Sequence, residues 1–451
     1  MNAAEQGRVL SHVLAALCGE AAAAEVARHV VYGPGASPRP GPEVVIVPSG
    51  FFADGVYGTS ASLPPPPLDQ IEGTPLLFGS PRVERLAGPG GFPRLIVHAD
   101  IVASAYFLLT RFEEVLRREV RDENGRFTGR ESLPFRAGFL RRPIVDEYGA
   151  LLRQWLREVG VELAEPPAEI RKVYLTHDLD EPWAWPNFRL AVKSTLQNFR
   201  RNPAALMDPL FSYWGWTEGR DPHDCFPWIL AQDAALRDAL GAQRVEPVFF
   251  FRAGGDDPKD GYDYLRNRRT LTLIQKIREG GASIGLHSSY SAGIDPGRIA
   301  AEKARLSEVS GAPCRFNRHH FLAAREPEDL KALETAGLTD DFTMGYADMA
   351  GFRLGTSRAV RWFDPVALQP STVTLHPLTV MECTLDSGKY MHLDFEEARA
   401  ACFALLAEVR KHNGEAVLLW HNTALSEQAA ASGSYQRRLY VEVLDHLKGC
   451  A

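Results

Sequence analysis

Four short stretches of the 451-residue sequence carry side chains that can do chemistry together. In VYLTHDLDEPW, Asp178 and Asp180 follow an apolar run at a spacing of two, so on a continuing strand both carboxylates point the same way. Such a pair suits two duties, one carboxylate holding a metal ion and the other acting as a base. In GLHSSY, His287 lies just past Leu286, where a strand opens into a loop. In CRFNRHHFL, Arg318 precedes His319 and His320. Adjacent histidines cannot share one face of a strand, so at most one of them reaches a common site. The arginine can hold a carboxylate through a bidentate pair. In AVLLWHN, His421 emerges at the end of an almost unbroken apolar run, a good position for a general acid or base. Singly, each feature has an ordinary explanation, such as capping aspartates, solvated histidines or a surface basic cluster. Jointly, Asp and His delivered by four strands match the donor types of a zinc-like divalent site.

Those residues must be positioned by strands that alternate with helices. Short apolar runs at Val173–Thr176, Val245–Phe251, Ser283–Leu286, Phe316–Phe321, Thr372–Leu375 and Ala416–Trp420 read as strands. Helical patterns occupy Asp224–Leu240, Tyr264–Gly280, Pro296–Val309, Pro327–Ala336 and Asp394–His412. Alternation of this kind predicts a parallel sheet covered by helices, open or closed into a barrel, with reacting groups at the C-terminal strand ends.

The segment Glu162–Lys172, with paired prolines and no apolar periodicity, reads as a connection. It divides the chain into an N-terminal module, 1–168, and a second domain, 169–451. Ten of the 13 histidines fall in the second. The first reads as a smaller α/β module. Val44–Val47 and Arg94–Val97 are strand candidates, and the four prolines Pro64–Pro67 exclude helix and central strand. A helix should start after Asp100 and run through IVASAYFLLTRFEEVLRREV, with a second from Pro143 to Leu163. No metal-ligand or nucleophile pattern stands out there.

Composition narrows the function class. With 50 Lys+Arg against 57 Asp+Glu the net charge is −7, which argues against a nucleic-acid partner. Apolar residues at 45% and charged residues at 24% exclude a wholly disordered chain. No uncharged apolar stretch of about 18 residues is present, so no transmembrane segment is expected. The first thirty residues carry Glu5 and Arg8 and read as an amphipathic helix, not a signal peptide, which makes the cytoplasm the expected compartment. The six cysteines form no CxxC pair and are expected as free thiols.

In this order, THDLD, GLHSSY, NRHHFL, DDFTMGYADMAGFRLGT, MECTL and LLWHN resemble the motifs of polysaccharide deacetylases with a NodB-homology domain, carbohydrate esterase family 4. The likeness is greatest to the branch whose first motif reads T-H-D-x-D, and it spans about Arg171 to Ala451. SGFF, SLPPPPL, DIVASAYFLLTRFEE and RPIVDEY resemble the uncharacterised module that precedes the domain in that branch. The resemblance implies a distorted (β/α) barrel with one divalent metal ion, usually zinc. It implies Asp178 as base, Asp180 and His287 as metal ligands, Arg318 as the arginine that orients the base, and His421 as the acid that protonates the leaving amine. The family's second metal histidine falls on Ser291, a poor ligand, and His320 is the expected replacement, ahead of His319. Asp341 and Asp348 lie in the motif that usually tunes the acid histidine. Arg353 is expected to contact substrate, and Trp183, Trp185, Tyr290 and Tyr346 to stack on sugar rings. His177 is expected to pack away from Asp178.

The function this implies is hydrolytic removal of an acetyl group from an N-acetylated sugar, on a poly- or oligosaccharide or a lipid- or nucleotide-linked precursor. Two other readings compete with it: hydrolysis of another non-peptide C–N bond, and a degenerate, non-catalytic carbohydrate-binding protein, for which Ser291 speaks.

Overall fold

A computed structural model describes residues 1–33, 41–64, 66–215 and 220–450. Pro65, inside the proline run, lies outside the described residues. The protein is of the α/β class. Its internal contacts define two compact units. One comprises Met1–Glu169, Met344–Pro377 and Ala407–Glu415; the other comprises Ile170–Thr343, Leu378–Leu406 and Ala416–Ala451.

The second unit is built on strands in the order Asp340–Asp341, Phe316–His319, Ser283–Ser288, Val245–Arg252, Lys172–Leu179, Glu415–Leu419 and Val380–Met381. Neighbours run parallel from Asp340–Asp341 across to Lys172–Leu179, and Val380–Met381 is parallel to Glu415–Leu419. Parallel strands are buried on both faces, which is why VEPVFFFR is apolar almost throughout and why even Thr176, His177 and Asp178 of KVYLTHDL are buried. Helices Phe226–Leu240, Arg268–Glu279, Ile299–Ser310 and Glu328–Thr335 alternate with them along the chain. Gly285 is required by the packing, because a Cβ there would lie 2.5 Å from the Phe250 ring. Phe250 in turn lies 4.6 Å beneath the Arg318 guanidinium, so this close approach helps to place that side chain.

One expected strand is shorter than its pattern. Phe316–Phe321 ends at His319, because Phe321 and Leu322 adopt φ of 61° and 55° and turn the chain out of the sheet. The run at Thr372–Leu375 forms part of Gln369–Leu375, which pairs antiparallel with Val360–Asp364 in the first unit. Its alternating burial, one face in and one out, is the pattern of an antiparallel ladder rather than of the parallel set.

The first unit holds a four-stranded sheet in the order Val30–Tyr32, Glu43–Ile46, Pro93–Ala99, Gly79–Ala87. The last pair is antiparallel and the others are parallel. Asp100 caps the wholly buried helix Ile101–Leu109, accepting from the Ala103 N–H at 2.9 Å, the Ser49 N–H at 2.7 Å and the Tyr32 hydroxyl at 3.0 Å. This helix does not run on as expected. Arg111 takes φ 50° and separates it from the short helix Phe112–Leu116. The second expected helix spans Ile144–Glu158. Its Asp146 is buried and satisfied from far along the chain, by Thr356 Oγ1 at 2.6 Å, Ser357 N–H at 2.8 Å and Arg358 Nε at 3.0 Å.

The N-terminal helix Ala3–Cys18 opens with a capping box between Asn2 and Glu5 and buries Val9, Val13, Leu14 and Leu17. Among the described residues no single helix is long and apolar enough to cross a membrane. Ala3–Cys18 and Glu20–His29 reach that composition only jointly, across a 119° bend. All six cysteines are free thiols.

Candidate metal and acid–base site

At the C-terminal ends of its strands, the second unit gathers Asp178 and Asp180, His287, Arg318 and His320, and His421. Asp178 and Arg318 are buried and directly paired. Arg318 Nη1 donates to Asp178 Oδ1 at 2.9 Å and to Thr176 Oγ1 at 2.8 Å, and Nε donates to the Phe342 carbonyl at 3.0 Å. Burial pushes the Asp178 carboxyl up, but Arg318, His287 and His421 outweigh it and hold it below the usual range. Asp178 Oδ2 stays clear of the arginine and lies 3.7 Å from His287 Nε2.

Asp180 Oδ1 lies 3.1 Å from His287 Nε2 and 3.5 Å from His320 Nε2, yet this buried oxygen has no properly aligned hydrogen bond. One ligand atom from each of the three residues falls within 4.8 Å of the others. Both imidazoles are anchored through their far nitrogens, His287 Nδ1 against the Arg318 carbonyl at 2.9 Å and His320 Nδ1 against Asp260 Oδ1 at 3.3 Å. With Nδ1 as donor in each ring, both Nε2 lone pairs face Asp180. Two inward lone pairs beside an unbonded carboxylate oxygen fit a divalent cation, and Asp180, His287 and His320 would hold it. Burial disfavours ionised Asp180, but the two histidines keep it well below the usual range. Burial of the charged His320 ring is outweighed by Asp180 and Asp260, which raise it to about 9 with no ion bound; a cation at Nε2 would take the place of that proton.

Sequence reasoning missed Asp260, which holds His320. It lies in the turn Pro258–Asp260 and accepts from Tyr290 N–H at 2.6 Å, Ser291 N–H at 3.1 Å and Ser291 Oγ at 2.7 Å. Burial opposes its charge, but His320, Ser291 and the backbone donors bring it down to about 2. Ser291, where the resembling family carries a histidine, therefore serves the carboxylate behind His320.

Glu382 was missed as well. Its Oε1 accepts from His421 Nδ1 at 2.5 Å and from the His421 N–H at 3.2 Å, leaving Nε2 facing Asp180 Oδ2 at 3.6 Å. Against the cost of burial, Glu382, then Asp180 and Asp178, raise His421 to about 10. The acid in MECTL was a readable signal; nothing local tied it to a histidine 39 residues on. Glu382, Cys383 and His421 also place ligand atoms within 4.8 Å, but Glu382 and His421 are committed to each other.

The other expected residues have partners of their own. Asp341 accepts from Asn317 Nδ2 at 2.8 Å and Thr343 Oγ1 at 2.7 Å, and His319 lies beside Asn317 Nδ2 at 3.1 Å. Asp348, Tyr346 and Arg353 belong to the first unit. There Asp348 accepts from the Gly129 N–H at 2.6 Å. Arg353 forms a buried fork with Glu114 at 2.9 and 2.6 Å, with its guanidinium 5.0 Å from the Tyr346 ring. Trp183 is buried, donates to Thr270 Oγ1 at 2.9 Å and lines a cavity of about 560 Å³ with Tyr213, Trp214 and Phe226. Trp185 and Tyr290 are half-buried, and Lys259 Nζ sits 4.2 Å from the Tyr290 ring. His177 is fully buried between the Trp420 carbonyl at 2.8 Å and Asp233 at 3.2 Å.

A model of a family of unknown function (DUF7033) matches residues 27–160. No curated protein matches the chain. Among solved structures, the chain is similar to the crystal structure of a "putative polysaccharide deacetylase" from Mycobacterium smegmatis. The identity is 15% and the TM-score 0.37, over 64% of this chain and 93% of that one.

Proposed function

We propose that the chain is a metal-dependent hydrolase that removes an acetyl group from an N-acetylated sugar, on a NodB-type barrel domain with an N-terminal α/β module. The supporting observation is Asp180 Oδ1, buried and unbonded, facing the Nε2 atoms of two histidines whose Nδ1 atoms are both anchored. The nitrogen-rich donor set favours zinc. A divalent ion there supplies Lewis acidity toward the acetyl carbonyl and toward water.

The chain's own groups supply the proton traffic. Asp178 is ionised, and Arg318 occupies its Oδ1, so Oδ2 is the atom that takes a proton from attacking water. His421 is protonated at neutral pH, and Glu382 fixes its Nδ1, so Nε2 is the atom that hands a proton to the departing amine. Without that proton an amide nitrogen leaves poorly. Acid and base thus hold the protonation states that amide hydrolysis requires near pH 7.

The test is metal content followed by acetate release. After stripping and reloading with zinc, about one ion per chain is expected, and His287→Ala should lose it. Acetate should be released from N-acetylglucosamine oligomers, and Asp178→Asn should abolish this while keeping the ion. Failure to hold any ion, or an undiminished Asp178→Asn variant, overturns the proposal. Cleavage of other amides without any acetylated sugar would reassign the substrate to a different C–N bond.

A further inference from the structure

The helix Phe188–Arg201 turns its apolar side outward. Phe188, Leu196 and Phe199 are 48%, 69% and 69% exposed, and Val192 completes the stripe at helical spacing. Its inner side is small and polar. Ala191 is buried, and Asn198 Nδ2 donates to the Ala205 carbonyl at 2.9 Å. A surface helix normally does the reverse and buries its apolar stripe. The patch continues through Met207 and Trp214, 38% and 42% exposed, with the Phe188 ring 6.1 Å from that of Trp214. Among the described residues twelve large hydrophobic side chains are exposed, and five of them fall between 188 and 214. That concentration marks a patch rather than scatter.

The charge of this stretch opposes that of the chain. Between 188 and 214 the sequence holds four basic residues, Arg189, Lys193, Arg200 and Arg201, and one acid, Asp208, giving 4 − 1 = +3 on a chain of net −7. Asp208 is itself paired with Arg220 at 2.6 Å. Arg189 and Lys193 are exposed beside the apolar stripe. Large apolar side chains outward, flanked by basic ones whose stems reach back to a polar boundary, form the pattern of an interfacial helix. At 14 residues it is about 21 Å long, too short to span a bilayer, so it would lie in the surface plane.

We propose that this face docks the protein peripherally on a bilayer surface bearing anionic headgroups. The inference is independent of the chemistry proposed above. The test is flotation of the full chain with vesicles of phosphatidylcholine containing about 30% phosphatidylglycerol, against phosphatidylcholine alone. Binding to the anionic vesicles is expected to be at least about tenfold tighter, and to fall as salt is raised. Leu196→Gln with Phe199→Gln should weaken it at least about tenfold, through lost apolar burial. Arg189→Glu with Lys193→Glu should weaken it mainly at low salt. All four side chains are exposed, so unchanged thermal unfolding is the control that both double variants fold. Absence of flotation overturns the proposal and leaves an acidic protein as the occupant. Equal flotation of the variants overturns it too, as does a dimer that the Leu196→Gln, Phe199→Gln variant dissolves.

Discussion

Removing Asp260 tests whether His320 is a metal ligand held from behind. The carboxylate touches no other residue of the Asp180–His287–His320 set, so its effect on metal binding must pass through His320 Nδ1. Loss of such an outer partner typically costs about 10- to 100-fold in metal affinity. The 3.3 Å contact is long for a charge-assisted hydrogen bond, and the same oxygen also accepts from Tyr290 N–H at 2.6 Å. Both facts place Asp260→Ala at the low end, about tenfold, or about 1.4 kcal/mol. Asp260→Asn keeps an acceptor for Nδ1 and should lose less. Zinc affinity is measured by competition with a chromogenic chelator, well below the unfolding temperature. The temperature matters because Asp260→Ala also strips the Tyr290 and Ser291 N–H groups of their acceptor, at about 1–3 kcal/mol of stability. His320→Ala, run alongside, should cost more than Asp260→Ala. A folded Asp260→Ala variant with affinity within about twofold of the parent would refute the reasoning.

Glu382→Gln should lower kcat at least about tenfold and leave metal content unchanged, because it loosens and discharges the partner of His421 Nδ1. His421 must be protonated to act as acid, and Glu382 is foremost among the groups raising it to about 10. Removing that charge should therefore move the alkaline limb of the rate profile to lower pH; an unmoved limb would exclude His421 as the acid. His12 lies 5.0 Å from Phe363, its Nε2 is buried without a hydrogen-bond partner, and burial pushes it down from 6.5 to about 4. A depressed histidine favours the fold above the unfolded pKa, so stability should decline as pH falls from 6.5 towards 4, by at most about 3 kcal/mol. Denaturant unfolding at several pH values should show that decline flattened in His12→Leu.

The strand ends were legible because each carries its signal in a few residues. An apolar run followed by Asp or His is the local mark of a buried parallel strand reaching its C-terminal edge, as at Leu179–Asp180 and Trp420–His421. The partners behind those residues were not legible. Asp260 reaches His320 across 60 residues of sequence, and Glu382 reaches His421 across 39, each from a turn or strand end with no periodicity of its own. The resemblance implied substrate contact for Arg353, and nothing in the sequence showed the carboxylate that Arg353 holds. Its partner, Glu114, lies 239 residues away. Alternation could not reveal that Arg318 and His320 are separated by the end of the strand, since the left-handed Phe321 and Leu322 are not glycines and carry no turn signature.

The assembly of the first unit from three separated segments bears on the order in which the protein can be made. Glu114 and Asp146 emerge from the ribosome long before Arg353 and Thr356–Arg358, the groups that neutralise or satisfy them once buried. At about 5–20 residues per second, the wait between Glu114 and Arg353 is roughly ten to fifty seconds. Through that interval the nascent N-terminal segment would have to bury Asp146 bare and Glu114 with Arg111 at 3.6 Å but without the Arg353 fork, or remain partly open, and burying them is the costlier course. Synthesis of most of the chain thus precedes closure of the part that is translated first, and the newborn protein depends on staying soluble while incomplete.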